Sequence, residues 1–269
     1  MTLPFVKMHA HGDDFIIIDR RGQEDPITAQ VARCLGNRHT GIGFNQLAVV
    51  LDCADAAARI KFWNPNGTPL EACGSATRGV ADRLMQETGT DSIVLRTERG
   101  LLTCVRVAGQ RVSVNMGAPS LDWAAVPLAE PLDTRTLPIS GSPAACSMGN
   151  PHCTFFVEDI AAVDVEALGP ALEVHPLFPA RTNVHFVQVL DRRHIRLRIW
   201  ERGGGVPLGS GSCCCGAVVN GIRRGLLDDT VEVHCDGGTL TVQWDGQGGV
   251  LLTGRVEPIM QGTVYAIPV

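Results

Sequence analysis

The chain has 269 residues, 45% of them hydrophobic, 19% charged and 5% aromatic, with a formal net charge of -5. That length supports a substantial core and sits where chains divide into two domains, while the mild acidity and the lack of any Lys/Arg block exclude a general nucleic-acid surface. The apolar run Phe15 to Ile18 ends at Asp19 and Arg20, too soon for a signal h-region or a membrane span, so the expectation is a cytoplasmic protein with a small-molecule partner and no membrane.

In chain order, Phe15 to Asp19, Gln46 to Leu51 and Arg59 to Trp63 read as strands, with a helix over Thr28 to Leu35. Gly74 to Met85 reads as the next helix, placing Ala76, Val80, Ala81 and Leu84 on one apolar face. Ser92 to Arg96, Leu101 to Val107 and Arg111 to Val114 form a predicted meander turning at Arg99-Gly100 and Gly109. The proline-rich stretch Gly117 to Pro143 reads as a crossover.

The second half repeats this grammar. Ala145 to Met148 and Cys153 to Val157 flank a turn at Gly149-Asn150-Pro151-His152, Val165 to Leu172 is helical, and Val184 to Leu190 and His194 to Trp200 are strands. Gly211 to Arg224 is the second marked helix, stopped at Gly225, and Val231 to His234, Leu240 to Trp244 and Gly249 to Thr253 close as strands. The expected fold is therefore α+β: two pseudo-symmetric domains, 1–117 and 118–255, each a mainly antiparallel sheet around a central helix.

The two marked helices open on similar triplets, Cys73-Gly74-Ser75 and Ser210-Gly211-Ser212. The first N–H groups of a helix lack partners and carry partial positive charge, so an acid–base side chain beside them can work next to a bound carboxylate. Two such starts facing each other would remove a proton from a carbon and return one on the opposite face, as a racemase or epimerase without a cofactor must. A thiol suits both tasks, because a helix N-terminus brings its pKa from about 8.5 toward neutrality.

The other reactive residue types read more plainly. Ten cysteines with no CxxC pair and no secretory signal are expected to be mostly reduced, and no metal site is assigned. The run Cys213-Cys214-Cys215 fits a packed helix, with Cys213 nearest its start. His11, His39, His175, His185, His194 and His234 lack ligand spacing and read as surface or hydrogen-bonded structural residues. His152 reads as orienting the Asn150 loop, and no histidine is assigned to catalysis.

Several segments together carry a resemblance to a known family: Lys7 to Phe15, Gly41-Ile42-Gly43, Asn64 with Gly67, Glu71-Ala72-Cys73-Gly74, Met148 to Cys153, Arg181 to Val184, and Trp200-Glu201-Arg202-Gly203. In this order, over nearly the whole chain, they resemble diaminopimelate epimerase. The resemblance implies two pseudo-symmetric domains, with the C-terminal stretch 256–269 returning to the first, a homodimer, and a two-base mechanism that needs no pyridoxal phosphate.

Carried over position by position, it implies that Cys73 is one of two acid–base groups and that Ser210 stands where the second cysteine is usual. Gly74, Ser75, Gly211 and Ser212 would offer helix-start donors to the reacting carboxylate. Glu201 matches the position receiving the reacting ammonium; Asn64, Asn150, Asn183 and Arg202 match positions at the distal amino-acid end, and Asp13 and Gln46 are placed in the binding site. An Arg with amide donors suits a carboxylate. The asparagines also fit as turn residues and Glu201-Arg202 as a surface pair.

The chain departs from that pattern at Ser210 above all, since a hydroxyl can donate a proton but is a poor base unless activated. Three explanations stand open: an engineered exchange, which leaves the altered neighbours Gly209, Ser212, Cys213 and Cys214 unexplained; a natural thiol–hydroxyl pair; and a reaction needing one strong base, such as elimination. Asp13 replaces a usual Asn and Asn45 a usual Asp, while Ser75-Ala76-Thr77 replaces Asn-Gly-Ala. The expected activity is α-carbon inversion of diaminopimelate. The alternatives are a racemase for another cationic amino acid, a one-base eliminase, and a silent amino-acid-binding homologue.

Overall fold

The computed structural model describes residues 2–265. Its chain divides into two compact units, one running up to Asn115 and taken up again from Gly254, the other Met116–Thr253.

In the first unit, strands β1 (Leu3–Ala10), β2 (Asp13–Asp19), β3 (Gln46–Leu51) and β4 (Ala58–Trp63) are followed by a short β5 (Pro69–Leu70), then β6 (Ser92–Thr97), β7 (Gly100–Val107) and β8 (Arg111–Asn115). Helix α1 (Ala29–Gly36) connects β2 to β3, and helix α2 (Gly74–Thr88) connects β5 to β6. Successive neighbours alternate in sense: β1/β2 antiparallel, β2/β3 parallel, β3/β4 antiparallel, β4/β6 parallel, then β6/β7 and β7/β8 antiparallel.

The second unit repeats that sequence of senses. Strands β9 (Ala144–Ser147), β10 (Pro151–Phe156), β11 (Asn183–Asp191), β12 (His194–Trp200), β13 (Thr230–Cys235), β14 (Gly238–Gln243) and β15 (Leu251–Arg255) pair antiparallel, parallel, antiparallel, parallel, antiparallel and antiparallel in turn. Helix α3 (Val165–Glu173) fills the first parallel crossover and helix α4 (Gly211–Arg223) the second. This is the duplicated α+β architecture that the sequence pattern implies.

Each central helix is buried for a reason visible in its composition. Helix α2 hides Ala76, Gly79, Val80, Ala81, Leu84 and Met85, and ends at Gly89 in the left-handed conformation, whose N–H returns to the Met85 carbonyl. Gly79 is required by close approach: a Cβ there would lie 2.5 Å from the Phe15 ring. In α4, ten residues from Gly211 to Gly221 are buried, the three consecutive cysteines among them. A Cβ at Gly216 would come within 2.9 Å of the His152 ring, so glycine lets α4 close onto the sheet.

Strands Leu3–Ala10 and Pro69–Leu70 were not read from the sequence. Leu3–Ala10 alternates poorly, and its register with Glu257–Val264 (β16), antiparallel from Leu3↔Val264 to His9↔Glu257, depends on a strand from the far end of the chain. The predicted crossover 117–143 carries no strand; it contributes Val126, Leu128, Leu137 and Ile139 to the second unit's core beside Phe155 and Phe186. No helix among the described residues is long and apolar enough to cross a membrane.

Candidate functional site

In the first unit the site is built at the start of α2. Cys73 is the N-cap, extended at φ -143, with its sulfur accepting the Ala76 N–H at 3.4 Å and donating to the Gln46 side-chain oxygen at 3.6 Å. Gln46 opens β3, whose parallel register with β2 sets it beside Phe15. Asp13, at the start of β2, accepts from the Asn45 amide at 2.9 Å. Asn45 in turn takes a bond from Arg38, which also grips Asp14 together with Lys7. The buried Arg78, one turn into α2, contributes its charge to both Cys73 and Asp13.

The electrostatics correct one expectation. Burial pushes the Cys73 thiol up to about 12, and the Asp13 carboxylate adds to the shift, while the Ala76 and Ser75 N–H groups and Arg78 pull the other way. Desolvation outweighs the helix start, so the thiol is not drawn toward neutrality. Burial likewise raises Asp13 above the usual carboxylate range, against Asn45, Ser75 and Arg78.

Asn64 occupies the hairpin turn after β4, where its amide bonds the Thr68 hydroxyl at 3.0 Å. The turn reading of that residue therefore holds.

In the second unit, Ser210 is the N-cap of α4 and is 9% exposed, but its hydroxyl makes no capping bond to the helix. Burial, followed by the Glu201 charge, raises the thiol of Cys213, three residues on, well above its usual range. Gly211 and Ser212 open the helix behind Ser210. Asn183, at the head of β11, is buried; its amide donates to the Pro151 carbonyl at 2.9 Å and its oxygen accepts the Arg202 N–H at 3.0 Å. The Asn150 loop, Asn183 and Arg202 are thus tied together. Glu201 pairs with Gly205 across a tight turn, and the Arg202 guanidinium reaches the Ala180 carbonyl at 3.2 Å.

Behind Asn150 runs a chain that the sequence reading missed. The Asn220 amide donates to the Thr154 hydroxyl (2.9 Å), Thr154 meets His185 Nδ1 (3.1 Å), His185 Nε2 meets His152 Nδ1 (3.1 Å), and His152 Nε2 meets the Asn150 oxygen (2.9 Å). With Asn220 donating at one end and the Asn150 oxygen accepting at the other, one direction satisfies every link. Both imidazoles are then neutral, with the proton on Nε2. Burial agrees, lowering His185 to about 3.

His185 is therefore an interior hydrogen-bonded residue rather than a surface one, and His152 does orient Asn150. Ligating atoms of His152, His185 and Cys213 lie within 4.8 Å of one another, a grouping the sequence reading did not anticipate when it assigned no metal site. All four ring nitrogens are engaged in the chain just described. The available signal was Gly216 and Asn220, four apart on one buried helix face.

The fold of duplicated α+β units is shared with solved structures. A phenazine biosynthesis protein of the PhzF family from Bacillus anthracis matches with a TM-score of 0.72 at 18% identity, covering 99% of this chain and 100% of that one. A hydroxyproline epimerase from Agrobacterium vitis matches at 0.70 and 16%, covering 99% and 93%.

The family model described as diaminopimelate epimerase matches residues 5–121 and 144–259, and the chain belongs to that family. Diaminopimelate epimerases of Acidiphilium cryptum and Gluconobacter oxydans are 43% and 44% identical to it, each over 98% of this chain and over 96% and 99% of their own lengths.

Proposed function

We propose that the protein is an isomerase that inverts an α-carbon of diaminopimelate, interconverting the LL and meso forms, with side chains alone supplying acid and base. The observation that carries this reading is near-full-length identity above 40% to diaminopimelate epimerases, with Cys73 capping α2. In the reaction, Cys73 removes or returns the α-proton on one face and Ser210 serves the other. The helix-start donors at Gly74, Ser75, Gly211 and Ser212 take the reacting carboxylate, and Glu201 takes its ammonium. Asn64, Asn150, Asn183 and Arg202 receive the distal amino-acid end, with Asp13 and Gln46 beside Cys73.

Because burial keeps the Cys73 thiol protonated, the working form is the minor one carrying a single thiolate, which the Ala76 and Ser75 N–H groups and Arg78 favour. Family resemblance supports a homodimer in the cytoplasm, where lysine and cell-wall precursors are made. The test is incubation of the purified protein with LL-diaminopimelate and chiral separation of the products: meso product is expected. No conversion overturns the reading, and inversion of another cationic amino acid instead moves the substrate.

A further inference from the structure

The hydrogen-bonded chain behind Asn150 starts from a group that can only donate. The Arg223 guanidinium reaches the Asn220 side-chain oxygen at 3.2 Å and is itself anchored on the Ala145 carbonyl and the Thr134 hydroxyl, both at 2.8 Å. Asn220 is thereby oriented with its NH2 group toward the Ala144 carbonyl at 3.5 Å and the Thr154 hydroxyl at 2.9 Å. Thr154 is fully buried, and its hydroxyl meets Asn220 and His185. Having accepted from Asn220, that hydroxyl gives its own proton to His185 Nδ1, because a buried donor left unpaired is costly.

The direction is passed outward from there. His185 keeps its proton on Nε2 and donates it to His152 Nδ1, and His152 donates from Nε2 to the Asn150 oxygen. His152, Thr154, His185 and Asn220 are fully buried, whereas Asn150 is half-buried at the outer end of the chain. With its oxygen taken, what Asn150 offers a ligand is its NH2 group.

We infer that His185 is a positioning residue for the substrate: by fixing the tautomer of His152 it holds the Asn150 amide with its oxygen inward and its NH2 group outward, so that this position takes a carboxylate oxygen and rejects an ammonium group.

This inference rests on the proposed epimerase reading, in which Asn150 receives the distal end of the substrate, and deepens it by naming what selects the group bound there. A terminal amide has nearly the same shape in its two orientations and opposite chemistry, so half a turn would set an acceptor where a carboxylate must sit. An imidazole can donate or accept at Nε2, and His152 makes the selection only while a donor occupies its Nδ1. His185 is that donor. The backbone of the loop is held separately, by the Asn183 amide on the Pro151 carbonyl at 2.9 Å and the Met148 N–H on the Asn150 carbonyl at 3.1 Å. Loss of the chain therefore frees the rotation of the amide rather than the path of the loop.

Two readouts test the inference. In the ¹⁵N-labelled full-length protein, two-bond proton–nitrogen correlation spectra report which ring nitrogen carries the proton, with His185→Gln assigning the signals. Protons on Nε2 of both His152 and His185 are expected, and a proton on Nδ1 of either overturns the inference without any substrate being present. The kinetic test is a double-mutant cycle on LL-diaminopimelate with His185→Leu and Asn150→Ala. His185→Leu is expected to raise KM about fivefold with kcat little changed, since the binding-competent rotation of the amide is then only one of those populated. In the Asn150→Ala background the same change should leave KM where it was. His185→Gln, whose side-chain oxygen can accept from Thr154 while its NH2 group donates to His152, should restore the wild-type KM and guards against a folding defect. An equal rise in both backgrounds, or none in either, overturns the positioning role and leaves the epimerase reading standing. No turnover by the wild type overturns the epimerase reading, and the positioning role falls with it.

Discussion

The Cys73 thiol donates to the Gln46 side-chain oxygen at 3.6 Å, so the cysteine is held as a protonated group aimed along a fixed direction. That acceptor comes from the first residue of β3 and the thiol from the N-cap of α2, two elements joined in one sheet-and-helix layer. Cys73→Ala is expected to lower α-proton exchange by about 10³-fold with unchanged circular dichroism. Near-normal exchange in that variant would remove Cys73 from the reaction.

The same burial dictates a pH profile. With the thiol pushed up to about 12, the thiolate fraction grows about tenfold for each pH unit across the neutral range. The initial kcat/KM of wild type should therefore climb from pH 6.5 to pH 8.5. A profile already flat at pH 6.5 contradicts a buried, protonated resting thiol.

Stability should respond at both ends of the pH scale. Cys73, Cys104 and Cys146 are each raised to about 12 by burial, so their neutral form is favoured in the folded state. Between about pH 8.5 and 12 the unfolded chain releases those protons and the folded one keeps them, and stability falls as pH rises. His185, lowered to about 3 by burial, works in the other direction: between about pH 6.5 and 3 only the unfolded chain binds its proton, so stability falls as pH falls. Thermal melts at pH 4.5, 7.5 and 10.5 should give the highest Tm at pH 7.5, and His185→Gln should flatten the acid limb. An acid limb unchanged in His185→Gln would show that the histidine is not buried neutral.

Gly79 tests the seating of α2. Alanine favours a helix over glycine by up to about 1 kcal/mol, but here its Cβ would meet the buried Phe15 ring at 2.5 Å. Overpacking costs about 1–3 kcal/mol and wins. Gly79→Ala should lower the urea midpoint and exchange activity together, whereas Gly89→Ala, strained in conformation but open in space, should lower stability with less effect on activity. A stabilised Gly79→Ala variant would mean that α2 is seated differently.

Much of this was legible in the sequence because local signals agreed with the fold. Strand Phe15 to Asp19 and the helix beginning at Gly74 combine period, cap and burial in one stretch, and the Cys73 and Ser210 triplets mark both central helices. Leu3–Ala10 was not legible, since what makes it a strand is pairing on one side with Glu257–Val264, some 250 positions away in the chain. The His152–His185–Thr154–Asn220 chain was hidden for a related reason: its members come from β10, β11 and α4, and no sequence spacing brings them together. The Cys73 pKa was misjudged because a helix start is visible in sequence and the depth of desolvation is not.

Early-time NMR and mass analysis of LL-diaminopimelate turned over in D₂O reveals whether one acid–base group serves each face of the α-carbon. Two groups predict deuterium in the meso product while the remaining LL isomer keeps its α-proton, because Cys73 returns the proton it removed and Ser210 delivers one from solvent. Deuterium accumulating first in the LL isomer, without inversion, would contradict the account and leave Cys73 working alone.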